Sequence, residues 1–385
     1  MHRMVIVVWA WLCLAGTVQA GEVLRIFTWQ GYVTADDLAQ VNRLLQERKL
    51  DVRAEIIQPF AEGPEQMFEV MRWHQADLSF FTLNYIQMQE GRGARLLQGI
   101  DTRRIPNFAR VRPELAGLPM GKAGSKLLYV PFGGGAYGIW ANMDKLKPEA
   151  LPRRLNELLD ERWRGKISLT SGQVQPNVAL AYMAVGEPPF LLDSLVQSNS
   201  RQQAKQQLLS SPAKRFLDAL YQQVSTFWTV APQFSEQDLL VASYGPEIAR
   251  QRSLGRHWIL VPFEEGNTVW LDTMNIAREV SGAKLDAAYI FIDYMLSDAV
   301  QRGVVERLSM VAVTKTVKNP LLDGNPDFFR SDRFWPPYAK LSDNLMKAMS
   351  DQAMRSRRRE GSPVARHIPV PTPSPSHFVH PDRGQ

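Results

Sequence analysis

Leu24-Arg25-Ile26-Phe27-Thr28-Trp29, followed by Thr34-Ala35-Asp36-Asp37, decides the fold class of this 385-residue chain. The first stretch alternates weakly and predicts a strand buried on at least one face. Thr34 with Asp37 three residues on follows capping-box logic, and Leu38, Val41 and Leu45 continue at helical spacing. The pattern then repeats as a strand over 52–57, a helix over 65–73 and a strand over 77–81. Alternating strands and helices predict an α/β fold with mostly parallel sheets and helices on their faces.

After Lys145 a second α/β pattern begins. Helices are predicted over 155–162, 176–184, 204–224 and 283–296, with Ser297 capping the next. Strands are predicted over 166–169, 239–244 and 258–262, and through Trp270. Apolar segments 126–131 and 136–141 flank Phe132-Gly133-Gly134-Gly135. No Lys-Ser/Thr and no helix cap follows the glycines, so a phosphate cradle is a poor reading. A flexible crossover or turn is the better one.

The first 20 residues read as a secretory signal: Arg3, an apolar run over 5–15, then Val18-Gln19-Ala20. A transmembrane anchor needs about 20 apolar residues, more than this run holds. The single cysteine, Cys13, lies inside it. The mature chain therefore has no disulfide and must be held by its core, and its length suffices for two domains. The basic balance is local. Six arginines against Asp351, Glu360 and Asp382 put +3 on residues 351–385, and residues 21–350 hold only +2 of the formal +6. No nucleic-acid face is implied. Residues 351–385, with six prolines from Ser362 onward, read as a disordered basic tail in which Arg357-Arg358-Arg359 is solvated.

Catalytic signatures are missing. There is no Gly-x-Ser-x-Gly elbow, His-Glu-x-x-His, dinucleotide fingerprint or Walker loop, so nothing nominates an enzyme, a cofactor or a metal. His377 and His380 have metal-compatible spacing in a tail with no preorganised surroundings, and Glu264-Glu265 reads as a solvated turn. Thr268-Val269-Trp270-Leu271-Asp272-Thr273 is different. Trp270 and Asp272, at i and i+2, share one face of a strand. An indole beside a carboxylate suits an organic ammonium. The same residues also read as a part-buried strand whose Asp caps the next turn.

Taken in order, Phe27–Val33, Ala76-Asp77-Leu78, Trp163-Arg164-Gly165-Lys166-Ile167-Ser168-Leu169-Thr170 and Glu265–Asp272 resemble the periplasmic spermidine/putrescine-binding proteins of ABC transporters. The resemblance runs from about Leu24 to about Ala348. It implies a two-lobed, type II-like clamshell that closes on one ligand between its lobes. One lobe would comprise residues 21–135 and 272–313, the other 136–271 and 314–350, with passages near Gly135, Leu271 and Val313. Carried over residue by residue, Trp270 is the stacking tryptophan, Asp272 the amine-binding aspartate and Tyr32 a first-lobe aromatic. Gln30 stands where a small hydroxyl residue is usual, and Tyr244 where a tryptophan is. Thr82 falls on a ligand-side hydroxyl position, and Asn84 replaces an aromatic, with Tyr85 after it. The departure lies after Thr170. Gly172 and Gln175 stand near the family's second set of acids, and neither is charged. Burying a second ammonium without a carboxylate would be costly. Glu236 and Asp238 could supply one, although they also read as a helix start before Leu239-Leu240.

The expectation is thus a monomeric periplasmic solute-binding protein, taking a polyamine or related small organic amine and delivering it to an inner-membrane ABC permease. The competing expectation, suggested by the neutral second lobe and the basic tail, is a ligand sensor that reports to a membrane signalling receptor.

Overall fold

A computed structural model describes residues 21–323, 325 and 327–359. The expected signal segment and the proline-rich stretch lie outside the described residues. The described chain divides into two compact units, residues 21–135 with 270–337 and residues 136–269 with 338–359. The passages therefore fall after Gly135, Val269 and Pro337, against the expected Gly135, Leu271 and Val313. The third is later because residues 314–337 carry Phe328, Phe329, Phe334 and Trp335, all buried. Phe329 packs against Gly134 in the first unit.

The first part of the chain forms β1 (Glu22–Phe27), α1 (Ala35–Glu47), β2 (Val52–Ile56), α2 (Pro64–Arg72), β3 (Leu78–Thr82) and β4 (Val130–Asn142). Next come β5 (Ile167–Thr170), α3 (Gln175–Ala184), α4 (Arg201–Ser210), α5 (Pro212–Gln223) and β6 (Val224–Trp228). The rest forms β7 (Leu240–Ser243), β8 (Trp258–Leu260), β9 (Thr268–Ile276), α6 (Gly282–Met295), α7 (Asp298–Leu308), β10 (Val311–Ala312) and α8 (Lys340–Arg359). Shorter helical segments include Pro246–Ser253.

In the first unit β2, β1 and β3 are parallel neighbours, joined through α1 and α2. β9 completes the row antiparallel to β3. The capping box is present: Thr34 accepts from the Asp37 amide and Asp37 from the Thr34 amide. A good cap of this kind stabilises a helix by about 1 kcal/mol. Val41 and Leu45 turn inward. In the second unit β7, β5 and β6 are parallel, while β7 and β8 lie antiparallel to β4. Parallel pairing thus occurs where helices return the chain, and the long strands β4 and β9 break it.

Several expectations need correction. The glycine run is not a turn: Gly133, Gly134 and Gly135 sit buried inside β4. The helix over 204–224 is two helices, because Pro212 cannot continue α4 and instead starts α5, with Ser211 accepting from the Lys214 amide. Residues 155–162 form two short 3₁₀ turns, Leu155–Leu159 and Glu161–Trp163. Ser297 occupies a cap position, but its side chain makes no capping bond. Residues 351–359 are helical rather than a tail. Met349 and Ala353 of α8 enter the second core. Arg357, next on the same four-residue spacing, is buried, donates 2.7 Å to the Val224 carbonyl and lies 5.4 Å over the Phe227 ring. A guanidinium with an aliphatic stem can pack this way while keeping one polar partner.

Candidate functional site

Asp272 lies in the middle of β9, and the antiparallel register sets it directly opposite Thr82 at the end of β3. Opposed residues on neighbouring strands are close enough to bond. Thr82 donates from Oγ1 to Asp272 Oδ1 at 2.6 Å, and Tyr32 donates from its hydroxyl to Oδ2 at 2.5 Å. Tyr32 reaches it because β1 ends in a tight turn: Gly31 takes φ +82°, a value glycine alone adopts cheaply, and the Tyr32 amide bonds back to Trp29. The phenol ring then packs 5.0 Å from Phe132 and 6.0 Å from Phe80. All these residues belong to the first unit.

Asp272 is 4% exposed, and among the described residues no Lys, Arg or His pairs with it. Burial pushes its carboxyl up to about 6, against the two hydroxyl donors that favour the charged form. The Tyr85 hydroxyl is driven well above its ordinary value, first by burial and then by the charge of Asp272, which puts it in the same neighbourhood. Trp270, two residues back on β9, is 7% exposed, and its indole N–H has no partner among the described residues. The structure therefore gathers Tyr32, Thr82, Tyr85, Trp270 and Asp272. Gln30 is exposed in the turn, and the Asn84 amide donates to the Pro336 carbonyl at 3.2 Å.

Tyr244 and Gln175 lie in the second unit. Tyr244 donates 2.6 Å to Gln173 and packs 5.0 Å from Tyr137. Gln175 starts α3 and donates 2.5 Å to Asp343 of α8, which also pairs with Lys347. Gly172 is glycine for a steric reason: a Cβ there would stand 1.9 Å from the Thr229 carbonyl oxygen. No acid fits at that position without moving β6's exit. Asp238 is fully buried, accepting from Ser225 and from the Ser235 amide, and it leads into strand β7 rather than a helix. Glu236 is exposed beside Lys145.

Glu247, in the second unit, is a further acid that the sequence did not single out. It sits in the first turn of Pro246–Ser253, with Ser243 as a distant hydroxyl neighbour at 3.4 Å. Burial raises its carboxyl, and no cation pairs with it among the described residues. The only sequence signal was its place three residues after Tyr244, behind a Gly-Pro helix start. Among the described residues no group of His, Cys, Asp and Glu is placed to hold a metal ion, and no helix is long and apolar enough to cross a membrane.

Residues 80–335 match a family model described as bacterial extracellular solute-binding protein. The spermidine/putrescine ABC transporter substrate-binding protein PotD from Streptococcus pneumoniae is similar in structure at TM-score 0.64 and 17% identity, over 87% of this chain and 99% of that one. The PotD lipoprotein of Treponema pallidum is similar at TM-score 0.57 and 13% identity, over 87% and 99%. A GABA receptor is similar at TM-score 0.57 and 14% identity, over 87% and 98%. At these identities the likeness shows the fold. Comparison with curated proteins gives no match by sequence.

Proposed function

The chain belongs to the bacterial extracellular solute-binding proteins, and from that premise we propose that it is a periplasmic receptor for a small organic amine, feeding an ABC importer. The carrying observation is Asp272, a buried carboxylate that accepts from Tyr32 and Thr82 and has no cation beside it among the described residues. A buried unpaired anion is unfavourable in an empty protein and becomes favourable when an ammonium arrives. The Trp270 indole on the same strand face adds cation–π attraction. Tyr32 and Tyr85 supply aromatic surface for methylenes.

The second unit holds its own acid of this kind in Glu247, near Tyr244. Among organic amines, a diamine or polyamine is the favoured class. Pneumococcal PotD, named for spermidine and putrescine, is consistent with that class. A GABA receptor among the similar structures marks the alternative of one amine and one carboxylate. The sensor reading loses part of its basis, since Arg357 of the basic run is a packed side chain.

Calorimetric titration of the mature protein with putrescine, spermidine and GABA tests the proposal. Binding of either polyamine, weakened by Asp272→Asn, is the expected result. Absence of binding by all three amines would end the reading.

A further inference from the structure

We infer that Gly135, with Gly134 beside it, is a positioning residue for the Trp270 ring; the inference rests on the amine reading above. Backbone freedom does not explain these glycines, because neither has φ in the left-handed region. Space does. A Cβ on Gly135 would lie 2.7 Å from Cζ2 and 3.0 Å from Cε2 of Trp270. On Gly134 it would lie 2.9 Å from the Trp270 carbonyl oxygen and 3.0 Å from the Phe329 ring. Those neighbours are rings and backbone, which cannot swing aside as a flexible chain end can.

The ring has little else to fix it. It is nearly fully buried, and its N–H has no partner among the described residues. Its tilt is therefore set by shape, through contact with the bare backbone of β4 at Gly135. Attraction for a cation falls away when the ring face turns from it. Gly133 is different: a Cβ there would meet the end of Met310 at 2.6 Å and Val304 at 3.1 Å, and nothing of Trp270. The glycine run thus divides: Gly133 serves core packing, Gly134 makes room for the Trp270 backbone and the Phe329 ring, and Gly135 alone faces the indole.

The test is a double-mutant cycle read by polyamine calorimetry and thermal melting. Gly135→Ala is expected to weaken binding by about tenfold, the scale of a lost cation–π contact. In the Trp270→Phe background the same change should leave affinity as it is, because the smaller ring makes room. Gly133→Ala should lower the melting temperature and leave affinity alone. An equal affinity loss in both backgrounds, or none in either, overturns the inference. If Gly135→Ala fails to fold, recovery of folding by adding Trp270→Phe supports it, and failure to recover overturns it. If the parent binds no amine, the functional reading fails on its own. The melting temperatures still decide whether Trp270→Phe relieves Gly135→Ala.

Discussion

Asp77 and Asp272 are both buried in the first unit, at 5% and 4% exposure, one just before β3 and the other on its partner strand. They titrate in opposite directions. Burial acts against the charge of each, but Asp77 receives Arg25 through two guanidinium bonds and the Arg25 amide at 2.8 Å, with Lys284 at 3.2 Å, and is held below its ordinary value. Among the described residues Asp272 receives only hydroxyls, and it stays raised. The fold shows that it can neutralise a buried acid when the acid is structural. At Asp272 it supplies hydrogen bonds and leaves the charge unanswered, which is the arrangement a receptor for cations needs.

The sharpest way to break this contrast is Asp272→Asn. Removing the countercharge should weaken amine binding by about a hundredfold or more, since a buried charge left unpaired costs about 3 kcal/mol or more. The ligand-free protein should meanwhile be as stable as the parent or more so at pH 7. A carboxyl raised from 3.8 to about 6 carries a folding penalty on the order of 3 kcal/mol when ionised. Calorimetry and urea unfolding measure the two effects separately. Unchanged affinity would remove Asp272 from the site.

Asp77→Asn should do the reverse. Arg25 and Lys284 would face a neutral amide, lowering stability by about 2 kcal/mol, moderated because the Arg25 side chain is 35% exposed. Amine affinity measured on the folded protein should hold. If Asp77→Asn instead abolishes binding while the protein stays folded, the division into structural and receptive acids is wrong.

Local signals carried most of this arrangement. Thr34 and Asp37 make the cap their spacing predicts, and the alternation of β1, α1, β2, α2 and β3 follows from periodicity alone. The Trp270/Asp272 pair was readable because strand geometry forces i and i+2 to one face. What escaped depends on neighbours distant in sequence. The glycine run of β4 looked like a turn because its reasons, Trp270 and Phe329 for Gly134 and Gly135 and Met310 for Gly133, lie far along the chain. Gly172 looked like a replaceable acid position because Thr229 is invisible from residue 172. Arg357 was readable in principle: it extends the Met349 and Ala353 stripe by one more helical step, a pattern masked by its charge. Glu247 was not readable, since only tertiary burial distinguishes it from any acid in a first helical turn.

The smallest effect expected is also the most diagnostic of the two acids. With no ligand, Asp272 titrates near 6, while an ammonium beside it would hold the carboxylate ionised to lower pH. Binding therefore favours the deprotonated form and releases a proton below about pH 6. The amine itself, with a pKa near 10, stays charged throughout. Affinity should be flat above pH 7 and fall about tenfold from there to pH 5. Stability of the empty protein runs the other way: the contribution from Asp272 is present below about pH 4 and lost as pH rises through 6, so the gap between parent and Asp272→Asn should widen across that window. Asp77, held low by Arg25, contributes stability above its unfolded value and loses it only as pH falls further. Calorimetry in buffers of different ionisation enthalpy counts the released proton. The Asp77→Asn variant should keep the parent's pH profile, and a profile that flattens in that variant would mean that the group titrating near 6 is not Asp272.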